Sequence, residues 1–161
     1  MRRYGLIIAF ALALVSCDGT SFRNSVPPYP VRLTIDVERL FVDFVPENFG
    51  AYITVDRNGY YENGRYVTPA LATDMFGYGG VLIYISTNGY DAYDRACPNC
   101  ASHSQNCPCL IENENAVCPK CGEAYSLWDG TAMPQKGLSH ETLRVLNIRQ
   151  DGRKLHISQK Q

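Results

Sequence analysis

Residues 80–98 read GVLIYISTNGYDAYDRACP. The segment Val81–Ser86 is rich in β-branched and aromatic residues and has the period of a strand. The dipeptide Asn88-Gly89 is what a two-residue hairpin demands, because the turn needs positive φ. The stretch therefore predicts a β-hairpin whose second arm leads directly into Cys97-Pro98.

The same period occurs along most of the chain beyond residue 30. Segments with this period are Val31–Val37, Leu40–Phe44, Ala51–Val55, Leu143–Ile148 and Lys154–Ser158. Further hairpin dipeptides are Asn58-Gly59, Asn63-Gly64 and Asp151-Gly152. Only Thr68–Met75 and Ser139–Leu143 could hold a helical turn, and both are too short for an amphipathic helix. We therefore expect an all-β, antiparallel domain.

Two cysteine pairs carry the chemistry of this chain. They are Cys97-Pro98-Asn99-Cys100 and Cys118-Pro119-Lys120-Cys121-Gly122. In each pair proline pre-sets the backbone after the first cysteine, so that the segment can turn as a knuckle. Gly122 permits the positive φ that lets backbone N–H groups face the sulfurs. Two knuckles can present four thiolates to one metal centre, and we predict such a site from Cys97, Cys100, Cys118 and Cys121.

Three states are open for these four cysteines. A mononuclear ion, zinc ahead of iron, suits proline-containing knuckles, because a single tetrahedral ion needs this spacing. An all-cysteine 2Fe-2S cluster is the alternative and would make a low-potential electron carrier. A pair of disulfides is the third, since exported proteins often contain them. Disulfides in C-x-x-C pairs are better placed at a helix start, whereas both pairs are expected in β-turn loops.

A third cysteine pair, Cys107-Pro108-Cys109, lies in a polar loop between the knuckles. One interpretation is a disulfide that clamps the loop, with one partner elsewhere, because a ring across one intervening residue is strained. The other makes Cys107 or Cys109 a metal ligand in place of Cys100, or a resolving thiol that exchanges with the site. His103 is a further candidate ligand.

The N-terminus predicts export. Residues 1–16 combine a short basic start with an apolar run too short for a permanent membrane span, which is typical of a signal peptide. Leu14-Val15-Ser16-Cys17 resembles the bacterial lipobox, which implies that Cys17 is lipidated and anchors the chain to a membrane. Residues 17–30 have the composition of an extended tether, and residues 31–161 suffice for one domain. We expect a lipoprotein of the bacterial cell envelope, periplasmic or surface-facing.

Charge and motifs exclude several functions. The formal net charge is −1 and the basic residues are scattered, so the chain lacks the basic stripe that nucleic-acid binding requires. The sequence contains no nucleophile with a base at hand, no recognisable carboxylate pair and no phosphate loop. We expect no nucleic-acid partner, and the chain has no enzyme signature.

The order of parts from Gly79 to Ser158 resembles a Rieske iron-sulfur domain. Its upstream half is the hairpin of residues 80–98, and its downstream half is the knuckle at Cys118. That knuckle is followed by Tyr125-Ser126-Leu127, Asp129-Gly130, Lys136-Gly137 and the closing strands Leu143–Ile148 and Lys154–Ser158. The resemblance implies a Rieske-like antiparallel β domain with two metal-binding loops.

The ligand positions depart from the Rieske pattern. Rieske domains have one histidine in each loop, and the two histidines bind one iron of a 2Fe-2S cluster. Here Asn99 stands at the first histidine position with Cys100 beside it, and Cys121 stands at the second. The resemblance therefore transfers Cys97 and Cys118 as cysteine ligands, with Cys100 and Cys121 as substitutes.

These observations lead to one main expectation with two alternatives. The main expectation is an exported, lipid-anchored metal-binding module of Rieske-like fold, with a membrane as its first partner. The first alternative is a 2Fe-2S electron-transfer protein that serves a redox or surface protein partner. The second alternative is a binding module stabilised by disulfides.

Overall fold

The computed structural model describes residues 24–137 and 139–160. Within them the chain forms short strands and two short helices. The strands are β1 Val31–Asp36, β2 Tyr52–Asp56, β3 Gly59–Glu62, β4 Arg65–Thr68, β5 Met75–Phe76, β6 Val81–Ser86, β7 Gly89–Asp94, β8 Leu110–Glu112, β9 Asn115–Val117, β10 Ala124–Ser126, β11 Pro134–Lys136, β12 Arg144–Val145, β13 Asn147–Asp151 and β14 Lys154–Ser158. The helices are α1 Val37–Leu40 and α2 Pro98–Ser102. The expectation of an all-β fold is confirmed.

The strands form three antiparallel sheets. The largest has the order β12-β7-β6-β2-β3-β4, a second has the order β13-β14-β1-β5, and a small one has the order β11-β10-β9-β8. The four hairpins predicted from Asn-Gly and Asp-Gly dipeptides are all present, as β2–β3, β3–β4, β6–β7 and β13–β14. The glycine of each dipeptide has positive φ, which a two-residue hairpin turn requires.

Strand β6 is buried along its whole length, because its two faces serve different cores. Val81, Ile83 and Ile85 pack in the first core, which also contains Leu33 and Ile157 of the β13-β14-β1-β5 sheet. Leu82 and Tyr84 point the other way, into the second core. The second core also holds Tyr93, Ala116, Tyr125 and Leu127. Four cysteines complete it, namely Cys97, Cys100, Cys109 and Cys118. The large sheet therefore separates an ordinary apolar core from the cysteine cluster.

The strand predicted over Leu40–Phe44 is wrong. Helix α1 ends at Leu40, and the next residues run as irregular backbone in which Phe41 and Phe44 are buried and Val42 is exposed. The amides of Val42 and Asp43 donate to the buried Glu62 carboxylate, at 3.4 and 2.8 Å. The Glu62 carboxylate thus accepts hydrogen bonds that a partner strand would accept in a sheet. An alternation pattern cannot reveal such a distant partner.

The two segments that could hold a helical turn, Thr68–Met75 and Ser139–Leu143, form no helix in the described part of the chain. In the first, the Asp74 carboxylate accepts the Leu71 amide and the Tyr60 hydroxyl, and this holds the loop in another conformation. No helix in the described part of the chain is long and apolar enough to cross a membrane. The predicted signal peptide and Cys17 lie outside the described residues.

The described end of the predicted tether packs against the domain. The Asn24 side chain donates to Thr142 O at 2.8 Å, and both the amide and the hydroxyl of Ser25 donate to the Glu141 carboxylate, at 2.6 and 2.7 Å. Val26 is fully buried against Ala96 and Ala101, which flank the first knuckle. We call residues 24–26 the strap. The boundary between tether and domain at residue 31 stays a prediction.

Replacing Val26 with Asp tests whether the strap belongs to the folded unit. The change places an unpaired charge in an apolar pocket, and we expect it to lower the free energy of unfolding by about 3 kcal/mol. Urea unfolding of the full chain, followed by the fluorescence of Trp128, measures this. Pro28→Asp, an exposed change in the same segment, is the control and should alter stability by only about 0.5 kcal/mol. Equal stability of the two variants would show that the strap does not contribute to folding.

Candidate metal centre

The first knuckle is positioned by a buried carboxylate at the end of β7. Asp94 is 1% exposed, and it accepts the amides of Tyr78, Gly79 and Ala96 at 2.6, 2.9 and 3.0 Å. These bonds tie the loop before β6 to the residue that precedes Cys97. Burial raises the pKa of Asp94, and the three backbone hydrogen bonds oppose that rise. A Cβ on Gly79 would lie 2.4 Å from Ala96 N, so the two backbones can approach this closely only with glycine there.

The second knuckle is a turn between β9 and β10. Cys118 N donates to Glu123 O at 2.8 Å and Gly122 N donates back to Cys118 O at 2.9 Å, which closes the turn. Gly122 has φ of +73°, so the prediction of positive φ at this position is confirmed. The pairing of β9 with β10 fixes where the turn lies against the rest of the small sheet.

The structure brings the four predicted cysteines together. Each of Cys97, Cys100, Cys118 and Cys121 contributes one sulfur, and these four atoms all lie within 4.8 Å of one another. Two close contacts join the knuckles, at 3.6 Å for Cys97–Cys121 and 3.6 Å for Cys100–Cys118. Three of the cysteines are buried and Cys121 is exposed. The cluster can therefore offer four soft ligands to one ion at the edge of the second core.

Hydrogen bonds to sulfur favour the thiolate at Cys97, whereas burial raises the pKa of Cys100 and Cys118 and favours their protonated form. Hydrogen bonding by the Cys109 thiol, opposed by burial and supported by the Tyr125 hydroxyl and the Cys100 amide, lowers the pKa of Cys97 to about 4. Burial raises the pKa of Cys118, while the backbone N–H groups of Cys121 and Lys120 lower it. Amide donation from within a turn to its first cysteine is the arrangement expected of a knuckle.

Tyr125 is a site residue that the sequence pattern did not identify. It is fully buried, and its hydroxyl lies 3.5 Å from the Cys97 sulfur. Burial and then the Cys97 contact raise the pKa of Tyr125, so the hydroxyl keeps its proton and donates to the thiolate. A tyrosine in a strand is usually a packing residue; the signal available in the sequence was its place four residues after Cys121.

The structure places the additional candidate ligands differently with respect to the four sulfurs. Cys109 is fully buried in the second core with Cys97 and Cys100, and half-buried Cys107 packs against the same core. His103 is exposed at the end of α2, and its Nδ1 lies 2.9 Å from Asn99 O and 3.0 Å from the Ser102 hydroxyl. The structure thus places both extra thiols against the cluster, and it does not bring His103 to the sulfurs.

One premise about the first knuckle was wrong. Cys97 is the residue before helix α2, and Cys100 lies within that helix, whereas both pairs were expected in β-turn loops. Pro98 at the first helical position favours this, because its fixed φ suits a helix start and its missing N–H is not needed there. Only the second pair, Cys118 and Cys121, is in a turn. All six described cysteines are free thiols in the structure.

Comparison with known proteins does not identify a family for this chain. No protein-family model and no curated protein matches this chain. A solved structure that resembles it is described as "Complex of reduced oxygenase and oxidized ferredoxin in carbazole 1,9a-dioxygenase", with 13% sequence identity and a TM-score of 0.46. The alignment covers 81% of this chain and 97% of the other. Similarity at this level does not show a shared family, and the site is therefore interpreted from its own residues.

Replacing Tyr125 with Phe tests the hydrogen bond to Cys97. The change removes one donor from a buried thiolate, and we expect metal affinity to fall by about tenfold. Competition with a chelator of known affinity measures this. Tyr84→Phe is a matched control, because Tyr84 is equally buried in the second core and its hydroxyl has no hydrogen-bond partner among the described residues. An equal loss in both variants would indicate a packing defect instead.

Proposed function

We propose that this chain is an exported metal-binding module in which Cys97, Cys100, Cys118 and Cys121 hold one ion, zinc in preference to iron. The observation that carries the proposal is the approach of four sulfurs to within 4.8 Å of one another. The metal would supply the crosslink between the two knuckles. The chemistry expected of such a centre is structural, because four thiolates leave no coordination position for water.

The separations fit a mononuclear centre. Zinc–sulfur bonds of about 2.3 Å in a tetrahedron place neighbouring sulfurs about 3.8 Å apart. The measured 3.6 Å contacts between Cys97 and Cys121 and between Cys100 and Cys118 are close to that edge. The other sulfur pairs lie within 4.8 Å, so their separations exceed that edge by at most about an ångström.

A 2Fe-2S cluster suits the geometry less well. In such a cluster two irons lie between the ligand pairs, so ligands of different irons are farther apart than ligands of the same iron. By the resemblance described above, Cys97 and Cys118 would bind one iron and Cys100 and Cys121 the other. The close contacts cross those pairs, since they join Cys97 to Cys121 and Cys100 to Cys118. This supports one ion shared by all four.

The surroundings of the site support a structural role for the ion. The small sheet β11-β10-β9-β8 consists of strands of three residues each, and strands this short have little stability of their own. An ion bound by both knuckles would fasten this sheet to helix α2. Binding of structural zinc is coupled to folding for the same reason, because the ligands are brought together only in the folded state.

Lipid anchoring through Cys17 is the second part of the proposal. It is supported by the leader-like residues 1–16 and the Leu14-Val15-Ser16-Cys17 motif. A membrane would then be the first partner of the module.

Elemental analysis of anaerobically purified full-length protein tests the metal. We expect one zinc per chain and no visible absorption band. Cys118→Ser should lower bound metal well below one ion per chain and destabilise the domain, because it removes a buried ligand. Cys107→Ser, which changes a half-buried thiol outside the four, is the control and should retain one ion. Two irons with acid-labile sulfide would favour the cluster instead, and unchanged metal in Cys118→Ser would contradict the assigned ligands.

Replacing Cys17 with Ser tests the anchor. A single lipidated residue is the proposed attachment, so the variant should move from the membrane to the soluble fraction of the native host. Fractionation followed by immunoblotting measures the shift, and mass spectrometry of the N-terminal peptide detects the lipid. A variant that stays with the membrane would contradict the lipobox interpretation.

A further inference from the structure

A cleft of about 250 Å³ lies between the turn of the β2–β3 hairpin, the loop that precedes β6 and the residues next to the first knuckle. Charged, amide and aromatic side chains contribute to its lining, among them Asp56, Arg57, Phe76, Tyr78, Arg95 and Asn106. A cavity of this volume accommodates a small ligand. None of these residues is a proposed metal ligand, so the chemistry of the cleft is independent of the four sulfurs.

Hydrogen bonds hold the walls of the cleft in place. Arg95 N donates to Gly80 O at 2.8 Å, and Cys109 N donates to Arg95 O at 2.8 Å. On another side the Asn106 side chain donates to Tyr78 O. The walls are therefore formed before any ligand arrives, and binding requires little ordering of the protein.

The Arg95 guanidinium has donors that the protein does not use. The side chain is 14% exposed, and its buried Nε has no hydrogen-bond partner among the described residues. Its Nη2 lies 3.4 Å from the Asp56 carboxylate, which is at the long limit of a hydrogen bond. A buried donor without an acceptor costs free energy. An acceptor that replaced Asp56 would let the guanidinium turn and pair both nitrogens.

The charges of the lining favour a ligand with one negative charge. Arg57 is exposed and makes no ion pair with a carboxylate in the described part of the chain. Arg57 and Arg95 together oppose only Asp56, so the lining has an excess of one positive charge. A planar carboxylate matches the fork of a guanidinium. A dianion would leave charge unbalanced and would repel Asp56 more strongly.

Two aromatic side chains supply the apolar part of the lining. Phe76 and Tyr78 are both half-buried. Phe76 packs against the first core, and the Tyr78 ring makes an edge contact with the Tyr29 ring at 5.3 Å between centroids. Rings held in this way offer a fixed surface to a flat or apolar group.

We infer that this cleft binds a small monocarboxylate that has an apolar or aromatic body. The carboxylate lies between Arg57 and Arg95 and takes the place of Asp56 as acceptor. The body of the ligand packs against Phe76 and Tyr78. Recognition of this kind needs one carboxylate and one apolar group on the same small molecule.

The test titrates isotope-labelled full-length protein with benzoate and follows the amides of residues 77–80 and the Nε–H signal of Arg95 by nuclear magnetic resonance. We expect saturable shifts with a Kd on the order of 1 mM. Benzamide has the same shape without the charge and should cause no such shifts. Acetate lacks the ring and should bind about tenfold more weakly than benzoate.

Three variants assign the binding to the cleft. Arg57→Gln removes an exposed charge and should weaken benzoate about tenfold. Arg65→Gln changes an exposed arginine in the neighbouring β3–β4 hairpin, outside the cleft, and should stay within about twofold of the wild type. Asp56→Asn keeps the acceptor for the Asn58 amide but removes the competing charge, so it should tighten benzoate about fivefold.

Several outcomes would overturn the inference. Shifts of equal size with benzamide would show that the cleft does not recognise the carboxylate, and tighter binding of hydrogen phosphate would contradict a site for a monoanion. Unchanged affinity in Arg57→Gln, or weaker binding in Asp56→Asn, would contradict the assigned contacts. Absence of any saturable shift at about 10 mM benzoate would contradict binding itself.

Discussion

Four sulfurs held within 4.8 Å, three of them buried, are the constraint on which the cysteine-bearing end of the domain depends. Thiolates at such short distances repel one another, and burial raises the free-energy cost of each charge. Under the proposed function, a bound cation would remove both penalties at once and convert the cluster into a crosslink. Because the small sheet has only three-residue strands, folding of this end and occupancy of the site should be one event.

The large sheet separates the cysteine site from the core that stabilises the rest of the domain. Strand β6 packs one face in the first core, which is mainly apolar, and the other in the cysteine-containing core. The same β6–β7 hairpin ends at Asp94, whose carboxylate fixes the residue before Cys97. Asp94 lies on the same face of β7 as Ala92 of the first core, so the first core and the placement of the first knuckle share one side of the large sheet.

The sequence predicted the parts of this molecule that depend on local patterns. Hairpin glycines need positive φ whatever surrounds them, so the four hairpins were identified correctly. The four cysteines lie close together, but the first pair is at a helix start and not in the turn that was expected. Leu40–Phe44 was misread because Glu62, twenty residues away, accepts its amides. Tyr125, Asp94 and the strap act through distant partners in the same way. A periodicity does not reveal which buried carboxylate or hydroxyl will meet which backbone group.

The pairing of β1 with β14 joins the two ends of the domain. A chain that emerges N-terminus first must hold β1 without its partner until Lys154–Ser158 appears, and the first core cannot close before then. All six described cysteines emerge earlier than this strand. During biogenesis their thiols are therefore exposed on an incomplete domain, and under the proposed function the capture of an ion would compete in time with their oxidation.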